Sequence, residues 1–208
     1  MSDQLTPSVR YGFGPPIESS IHGVRIEELH HLGLAVAMAH RDYDSRKVGT
    51  ILGVIPPRGP SLAGNGVLTL IGTGPETWLA MTENAAPDWA LKLAKRLSGV
   101  MSVSDQSGAY AVLRVSGPGA RNLLSRGAYI DFHPTTFHVG AAATTVMAHI
   151  GVILWQRENE STFEIGVFRS FVASLRQWME ATITTLPHAL PVVGSQRAMR
   201  SARVREPL

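Results

Sequence analysis

The feature that most constrains the fold is a strand–strand–helix pattern towards the end of the sequence. Phe163, Ile165 and Val167 alternate with polar or small residues, and this period of two predicts a half-buried β-strand. Residues 150–155 predict another strand before it, joined through a polar loop at residues 157–160. The apolar residues that follow recur at helical spacing and predict a helix packed on the sheet, namely Phe168, Phe171, Val172, Leu175, Trp178, Met179 and Ile183. This order is typical of an α+β fold with antiparallel strands over a helical layer.

The central part of the sequence repeats the alternation of short strands and helices. Strands are predicted at residues 34–39, 67–71, 77–82 and 110–115. Helices are predicted at residues 43–52, from near Pro87 to just before Gly99, and around residues 120–124. We therefore expect an α+β fold of mixed or antiparallel sheets packed with helices. It would have two similar halves, at about residues 29–105 and 106–186.

Both ends of the sequence lack sustained periodicity. Residues 1–28 are rich in Pro and Gly and predict an extended N-terminal arm. Residues 187–208 predict a basic C-terminal arm, with four arginines against the single acid Glu206. Two interpretations stay open: the arms fray in solvent, or they become ordered only on an acidic partner surface.

Composition favours a protein that assembles with partners. Charged residues make up 17% of the chain, below the roughly 25% usual in soluble domains, so part of its surface is expected to lie against other chains. The absence of cysteine excludes disulfides and thiolate metal sites. The basic excess lies at the C-terminus and is not interleaved with aromatic residues, so nucleic-acid binding is not expected. No apolar run approaches a membrane span, and we expect a cytoplasmic protein without a membrane segment.

The glycine-rich turns do not form a nucleotide-binding motif. Neither GTGP at residues 72–75 nor SGPG at 116–119 matches a phosphate-binding loop or a dinucleotide fingerprint. Ser116 also lies outside the G-x-S-x-G context of a hydrolase nucleophile. We interpret it as a helix cap and the glycines as turns.

The histidines are the other candidates for chemistry: the His30–His31 pair, His133 and His138, and His149. Their spacing does not match a zinc protease, which needs two histidines one helical turn apart with a glutamate between them. Asp131 and His133 are positioned for an acid–imidazole pair, but no nucleophile accompanies them. A structural capping role is therefore the preferred interpretation.

Several segments together resemble one protein family. The sequence contains VLRVSGPGARNLLSRGAYIDFHPTTF, then GVILWQRENESTFEIGVFRSFVASLRQWM, and upstream IGTGPETWLAM. These are similar to segments of the gamma subunit family of bacterial heterotetrameric sarcosine oxidases, and the resemblance extends in order from about residue 23 to 184. The chain departs from the family in having Ala128-Tyr129 in place of Cys-Pro and His138-Val139-Gly140 in place of Pro-Pro-Gly. Its C-terminal extension also looks longer than usual.

The resemblance implies a fold like the folate-binding domain of the glycine-cleavage T-protein. It also implies assembly with alpha, beta and delta subunits that carry FAD, FMN, NAD, tetrahydrofolate and zinc. Such a complex oxidatively demethylates an N-methyl amine such as sarcosine to glycine and hydrogen peroxide, with methylene-tetrahydrofolate or formaldehyde as the one-carbon product. The gamma subunit would be structural, and no catalytic, cofactor-binding or metal-binding residue is assigned to this chain.

Three alternatives remain at the level of sequence. The complex could be a related N-methyl amino acid demethylase or dehydrogenase. The chain could be a free-standing folate-binding protein, in which Glu76 or Asp131 supplies the carboxylate that holds the pterin ring. It could also be a small enzyme built around Asp131 and His133.

Overall fold

The computed structural model describes residues 12–157, 159 and 161–188. The strands in this part of the chain are β1 (Ile17–Ser19), β2 (Val24–Leu29), β3 (Leu32–Ala39), β4 (Leu62–Gly64), β5 (Thr69–Gly74), β6 (Thr77–Glu83), β7 (Met101–Asp105), β8 (Tyr110–Ser116), β9 (Ala142–Met147), β10 (Ile150–Gln156) and β11 (Thr162–Phe168). The helices are α1 (Ser45–Leu52), α2 (Trp89–Arg96), α3 (Ala120–Ser125) and α4 (Val172–Ile183), and a 3-10 turn, Arg169–Phe171, leads into α4.

The strands form two antiparallel sheets. The six-stranded sheet has the order β1-β2-β8-β11-β10-β9, and the five-stranded sheet has the order β4-β5-β6-β3-β7. Every strand pair within them is antiparallel. The predicted α+β class is confirmed, and of the mixed or antiparallel alternatives the structure has the antiparallel one.

The sheets lie face to face, with helices on their outer faces. Helices α3 and α4 pack on the six-stranded sheet through buried residues such as Leu123 and Leu175. Helices α1 and α2 cover the five-stranded sheet through residues such as Val48 and Leu93. A third apolar cluster joins the inner faces of the two sheets, around Trp155. The chain is thus a layered α/β/β/α structure in which each sheet is buried on both faces.

The two halves share one topology. In the five-stranded sheet the chain order is β3, α1, β4, β5, β6, α2, β7, and in the six-stranded sheet it is β8, α3, β9, β10, β11, α4. The strands β4-β5-β6-β3 lie in the same spatial order as β9-β10-β11-β8. In the five-stranded sheet, β7 lies beside β3. In the six-stranded sheet, the corresponding position beside β8 is occupied by β2, which comes from the N-terminal end of the sequence.

The predicted N-terminal arm is wrong for the described residues from Phe13 onward. Strands β1 and β2 fall within residues 17–29 and extend the six-stranded sheet. Val24 and Ile26 are almost completely buried, at 3% and 0% exposure, because they alternate with charged residues and face the core. Phe13 is also buried, and its carbonyl accepts a hydrogen bond from Arg176 at 2.6 Å. Residues 1–11 and 189–208, the rest of the predicted arms, lie outside the described residues.

The prediction of a half-buried strand at residues 163–167 is corrected as well. Phe163, Ile165 and Val167 face the helices as expected, but Glu164 on the opposite face is fully buried too. The second sheet covers that face. Over the described part of the chain, no helix is both long and apolar enough to cross a membrane.

Candidate functional site

A cavity of about 520 Å³ opens beside the five-stranded sheet. Its walls come from the segment before α1, the loop after α1 and the start of β6, and they include Tyr43, Arg58, Glu76 and Trp78. The Tyr43 and Trp78 rings lie 5.4 Å apart between centroids. The Trp78 indole N–H donates to the Pro57 carbonyl at 2.9 Å, which fixes the loop against the strand. The volume is typical of a small-molecule site.

Charges of both signs surround the Tyr43 hydroxyl in this cavity. Burial raises the pKa of Tyr43 above its usual value, the carboxylates of Glu76 and Asp44 raise it further, and Arg58 opposes them. Asp44 caps α1 by accepting a hydrogen bond from the Arg46 N–H at 2.8 Å. The site therefore joins an aromatic wall to two carboxylates and one guanidinium.

Glu76 holds an unusual backbone conformation at the tip of the β5–β6 hairpin. Its φ is 48°, in the left-handed region that side chains other than Gly, Asn and Asp rarely adopt. The Glu76 carbonyl accepts a hydrogen bond from the Ala39 N–H at 3.0 Å, which anchors the tip to the end of β3. The hairpin thereby presents the carboxylate to the cavity.

A second polar cluster lies between the sheets around Glu164. Its Oε1 accepts from Arg114 Nη2 at 2.6 Å, and its Oε2 accepts from the Trp155 indole at 2.7 Å. Arg157 lies 3.8 Å from the same carboxylate and also pairs with Glu83 of the other sheet at 2.9 Å. Glu164 is fully buried and both of its oxygens accept hydrogen bonds, so its carboxylate is not open to a ligand. The pair of Arg157 with Glu83 connects the cluster to the other sheet.

Asp131 and His133 do not form the acid–imidazole pair. The Asp131 carboxylate accepts from the backbone N–H of His133 at 2.8 Å and from the Thr136 hydroxyl at 2.9 Å. The backbone hydrogen bond, followed by the hydroxyl, lowers the pKa of Asp131. The imidazole Nδ1 of His133 lies 2.8 Å from the Thr135 hydroxyl. The carboxylate therefore closes a turn.

The remaining sequence candidates do not converge on one site. His30, His31, His138 and His149 are exposed, and the described residues contain no group of three or more His, Asp or Glu side chains able to hold a metal ion. The interpretation of Ser116 as a helix cap is wrong. It ends β8, and α3 begins after Gly119 without a side-chain cap.

Two half-exposed aromatic side chains mark the junction of β11 and α4. Phe168 is 45% exposed and Phe171 48% exposed, and Phe168 stacks on Tyr110 at 4.5 Å. Phe168 lies on the same strand face as Glu164, beyond the part of that face that the other sheet covers. Exposed aromatic surface of this kind is typical of protein–protein contacts. We call Tyr110, Phe168 and Phe171 the Phe168 surface.

Glu76 is a candidate residue in the sequence, but the sequence does not indicate which side chains lie beside it in the cavity. Tyr43 precedes a helix and Arg58 follows a Pro-Pro pair, and no local pattern connects either residue with Glu76. Only the fold brings them to one cavity. The alternation in the sequence places Glu164 on the polar face of a strand, because the sequence does not reveal the sheet that covers it.

Comparison with known proteins agrees with the resemblance. Sarcosine oxidase subunit gamma of Corynebacterium sp. (strain P-1) is 33% identical over 134 residues, which are 64% of this chain and 61% of that protein. The corresponding subunit of Corynebacterium sp. (strain U-96) is 34% identical over 124 residues, 57% of this chain and 56% of that protein. The chain therefore spans about three-fifths of the length of these relatives.

Solved structures show the same fold. A chain of the heterotetrameric sarcosine oxidase from Corynebacterium sp. U-96, in complex with pyrrole 2-carboxylate, matches with a TM-score of 0.73 and 24% identity, over 85% of this chain and 91% of that one. The glycine cleavage system aminomethyltransferase T from Bartonella henselae matches with a TM-score of 0.57 and 12% identity, over 77% of this chain and 46% of that one.

A family model matches the larger part of the sequence. The sarcosine oxidase, gamma subunit family aligns with residues 43–184, a range that contains most of both sheets and all four of the helices described above. Because this range is more than half of the sequence, the chain belongs to the sarcosine oxidase gamma subunit family.

Proposed function

We propose that this chain is the gamma subunit of a heterotetrameric sarcosine oxidase-type complex and that its role is structural. The match of the family to residues 43–184 carries the proposal. The low charged fraction of the chain, 17%, supports an assembled state, and so do the half-exposed aromatic rings of the Phe168 surface.

The complex would oxidatively demethylate an N-methyl amine such as sarcosine. In this proposal the alpha, beta and delta subunits hold FAD, FMN, NAD, tetrahydrofolate and zinc, and this chain holds none of them. Glycine and hydrogen peroxide would be the products, with methylene-tetrahydrofolate or formaldehyde carrying the one-carbon unit. A related N-methyl amino acid demethylase or dehydrogenase fits the same assembly, because substrate choice would lie in another chain.

The Phe168 surface is the part of the chain that we assign to the contact with the larger subunits. Arg169 supports it from below, donating to Glu28 at 3.0 Å and to the Tyr110 carbonyl at 2.8 Å. These bonds hold the turn before α4 rigid, so Phe168 and Phe171 would bind without ordering a loop first.

Co-purification tests the assembly. The tagged full chain is mixed with the flavin-containing subunits, and the captured flavin absorbance is measured. We expect capture by the native chain and at least tenfold weaker capture by the double variant Phe168→Ser/Phe171→Ser, because truncating aromatic anchors removes most of their contact. The control is Leu91→Ser, a 58% exposed apolar residue on α2, which should leave capture unchanged. A native chain that captures no flavin protein contradicts the proposal.

His133 tests the structural role. In the assembled complex we expect His133→Ala to leave turnover unchanged, since its imidazole is hydrogen-bonded to Thr135 of its own loop. A loss of turnover with assembly intact would assign chemistry to this chain.

Mass spectrometry of the purified complex, with a flavin spectrum and a panel of N-methyl amines, would identify subunits and substrate.

A free-standing folate-binding protein is the second candidate, because Glu76 lines a cavity with two aromatic rings. Calorimetry of the full chain with folinic acid distinguishes it from the assembly role. Heat at micromolar to millimolar ligand supports folate binding, and no heat at millimolar ligand contradicts it.

A further inference from the structure

The cavity beside α1 holds polar groups that the chain leaves unused. Within the described part of the chain, the Glu76 carboxylate, the Arg58 guanidinium and the Tyr43 hydroxyl have no hydrogen bond or ion pair, although all three line the same space. Arg58 and Glu76 are both exposed, and exposed ion pairs contribute little. Neither charge is therefore committed to a partner, and both line a cavity that also contains the Tyr43 and Trp78 rings.

The equivalent place in the other half is filled. Trp78 is the second residue of β6, and Phe163 is the second residue of β11. The loop after α3 packs Phe132 and Phe137 against Phe163, with ring centroids 6.0 and 6.3 Å away. The guanidinium of Arg121 lies over the Phe163 ring at 5.0 Å. The fold is therefore able to fill this position with side chains, whereas the equivalent position beside Trp78 is a cavity.

We propose that the cavity binds a small zwitterionic amino acid, with its carboxylate on Arg58, its ammonium group between Glu76 and Asp44, and its hydrocarbon part on Tyr43 and Trp78. Two carboxylates against one guanidinium favour a ligand with a cationic end, and the aromatic rings add cation–π attraction. Arg58 supplies the forked donor that matches a carboxylate. This binding function goes beyond the proposed structural role and does not depend on it.

The backbone at Glu76 supports a ligand role. Its left-handed φ of 48° would be more easily adopted by Gly or Asn. Its side chain returns no hydrogen bond to the described part of the chain. Residues held in sparsely populated backbone conformations are concentrated at active sites and ligand-binding sites. The hairpin tip thus carries a carboxylate where glycine would be the simpler choice for folding.

L-Proline is the probe, because it is a zwitterion with an apolar ring. Pyrrolidine keeps only its ammonium group, and cyclopentanecarboxylate keeps only its carboxylate, on the same five-membered ring. The ¹H–¹⁵N spectrum of the full chain reports binding at the Trp78 indole N–H, which is bonded to Pro57 in the cavity wall. The Trp155 indole is bonded to buried Glu164 and serves as the internal control for intact folding.

We expect L-proline to shift the Trp78 indole resonance saturably, with a Kd on the order of 1 mM, and to leave the Trp155 resonance in place. The two half-ligands should bind at least about tenfold more weakly, since each lacks one charge-assisted contact. Glu76→Asn, which tolerates the left-handed backbone, and Arg58→Gln should each weaken L-proline binding about tenfold. Arg126→Gln, an exposed arginine at the end of α3, is the matched control and should bind normally.

Three results would overturn the proposal. The first is no saturable shift with L-proline. The second is pyrrolidine binding as tightly as L-proline, which would make the cavity a simple cation site. The third is a shift with folinic acid and none with L-proline, which would assign the cavity to folate. None of these results depends on capture of the flavin subunits, so the assembly proposal is tested separately.

Discussion

The two halves of the chain have side-chain pairs of different polarity at equivalent positions of equivalent strands, apolar in one half and charged in the other. In the five-stranded sheet, Val36 of β3 lies opposite Leu79 of β6. In the six-stranded sheet, Arg114 of β8 lies opposite Glu164 of β11. Val36 and Arg114 are each the fifth residue of their strand, and Leu79 and Glu164 each the third. The apolar pair needs no hydrogen-bond partner, whereas the buried Glu164 carboxylate also requires a hydrogen bond from the Trp155 indole.

The halves differ a second time at the preceding residue of the partner strand. Phe163 is enclosed by Phe132 and Phe137, whereas Trp78 faces a cavity. One half therefore uses its loop after the first helix to complete the core, and the other keeps that space for polar side chains. The comparison teaches that the shared topology fixes the strands and helices, while the loop after the first helix decides whether a site exists.

The largest effect should come from truncating the enclosed aromatic residue. We expect Phe163→Ala to lower the free energy of unfolding by about 4 kcal/mol, since Phe163 is fully buried and its neighbours cannot collapse into the space. Trp78→Ala should cost about 1 kcal/mol less despite the larger side chain, because one side of Trp78 already borders a cavity. Urea unfolding followed by circular dichroism measures both. A larger loss for Trp78→Ala would mean that the cavity wall is as tightly packed as the enclosed cluster.

The ion pair of Arg114 and Glu164, on the inner face of the six-stranded sheet, should give the next largest effect. Glu164→Leu leaves Arg114 and the Trp155 indole without their acceptor, and we expect a loss of about 3 kcal/mol. The double variant Arg114→Val/Glu164→Leu copies the apolar pair of the other half and should recover part of that loss. The control is Glu18→Gln, which removes an exposed ion pair with Arg25 and should cost less than about 1 kcal/mol. A double variant no more stable than Glu164→Leu would show that the indole contact dominates.

Two arginines, Arg121 on α3 beside Phe163 and Arg58 in the loop after α1, should differ in the same sense. Arg121 donates to the Phe132 carbonyl, to the Phe137 carbonyl at 3.1 Å and to the Gln156 side chain at 3.2 Å. We expect Arg121→Met to lower the free energy of unfolding by about 2 kcal/mol, because these acceptors lose a charged donor. Arg58→Met should change it by less than about 0.5 kcal/mol. Thermal unfolding of both variants checks the contrast, and equal losses would refute it.

Most of the regular elements could be predicted from the sequence, because their apolar periodicity is local. Strands β8, β10 and β11 and the four helices were predicted close to their observed positions, although α4 begins at Val172 after a 3-10 turn. Strands β1 and β4 have only three residues each, too few for a period to show. The alternation of Val24 and Ile26 in β2 was present, but the surrounding glycines and prolines obscured it. Strands β7 and β9 were missed as well.

The cavity and the ion-pair cluster could not be predicted, because both depend on contacts distant in sequence. Arg114 and Glu164 are 50 residues apart, and they meet only because β8 pairs with β11. In the sequence, Glu76 and Asp131 are equivalent candidates, because each supplies a carboxyl group. Only the fold separates a carboxylate facing a cavity from one that closes a turn.

The hairpin tip should give a small effect of the opposite sign. Glu76→Gly removes the side chain from a residue with φ of 48°, and glycine adopts this conformation without a steric penalty. We expect the free energy of unfolding to rise by about 0.5 kcal/mol, the lower steric cost being partly offset by the greater backbone entropy of glycine in the unfolded chain. Lys95→Gly, at an exposed position in the last turn of α2, is the control and should lose up to about 1 kcal/mol. A loss of stability in Glu76→Gly would assign the carboxylate a structural contact. The residues around the cavity beside Trp78 would then contribute to stability in the same way as the residues around Phe163.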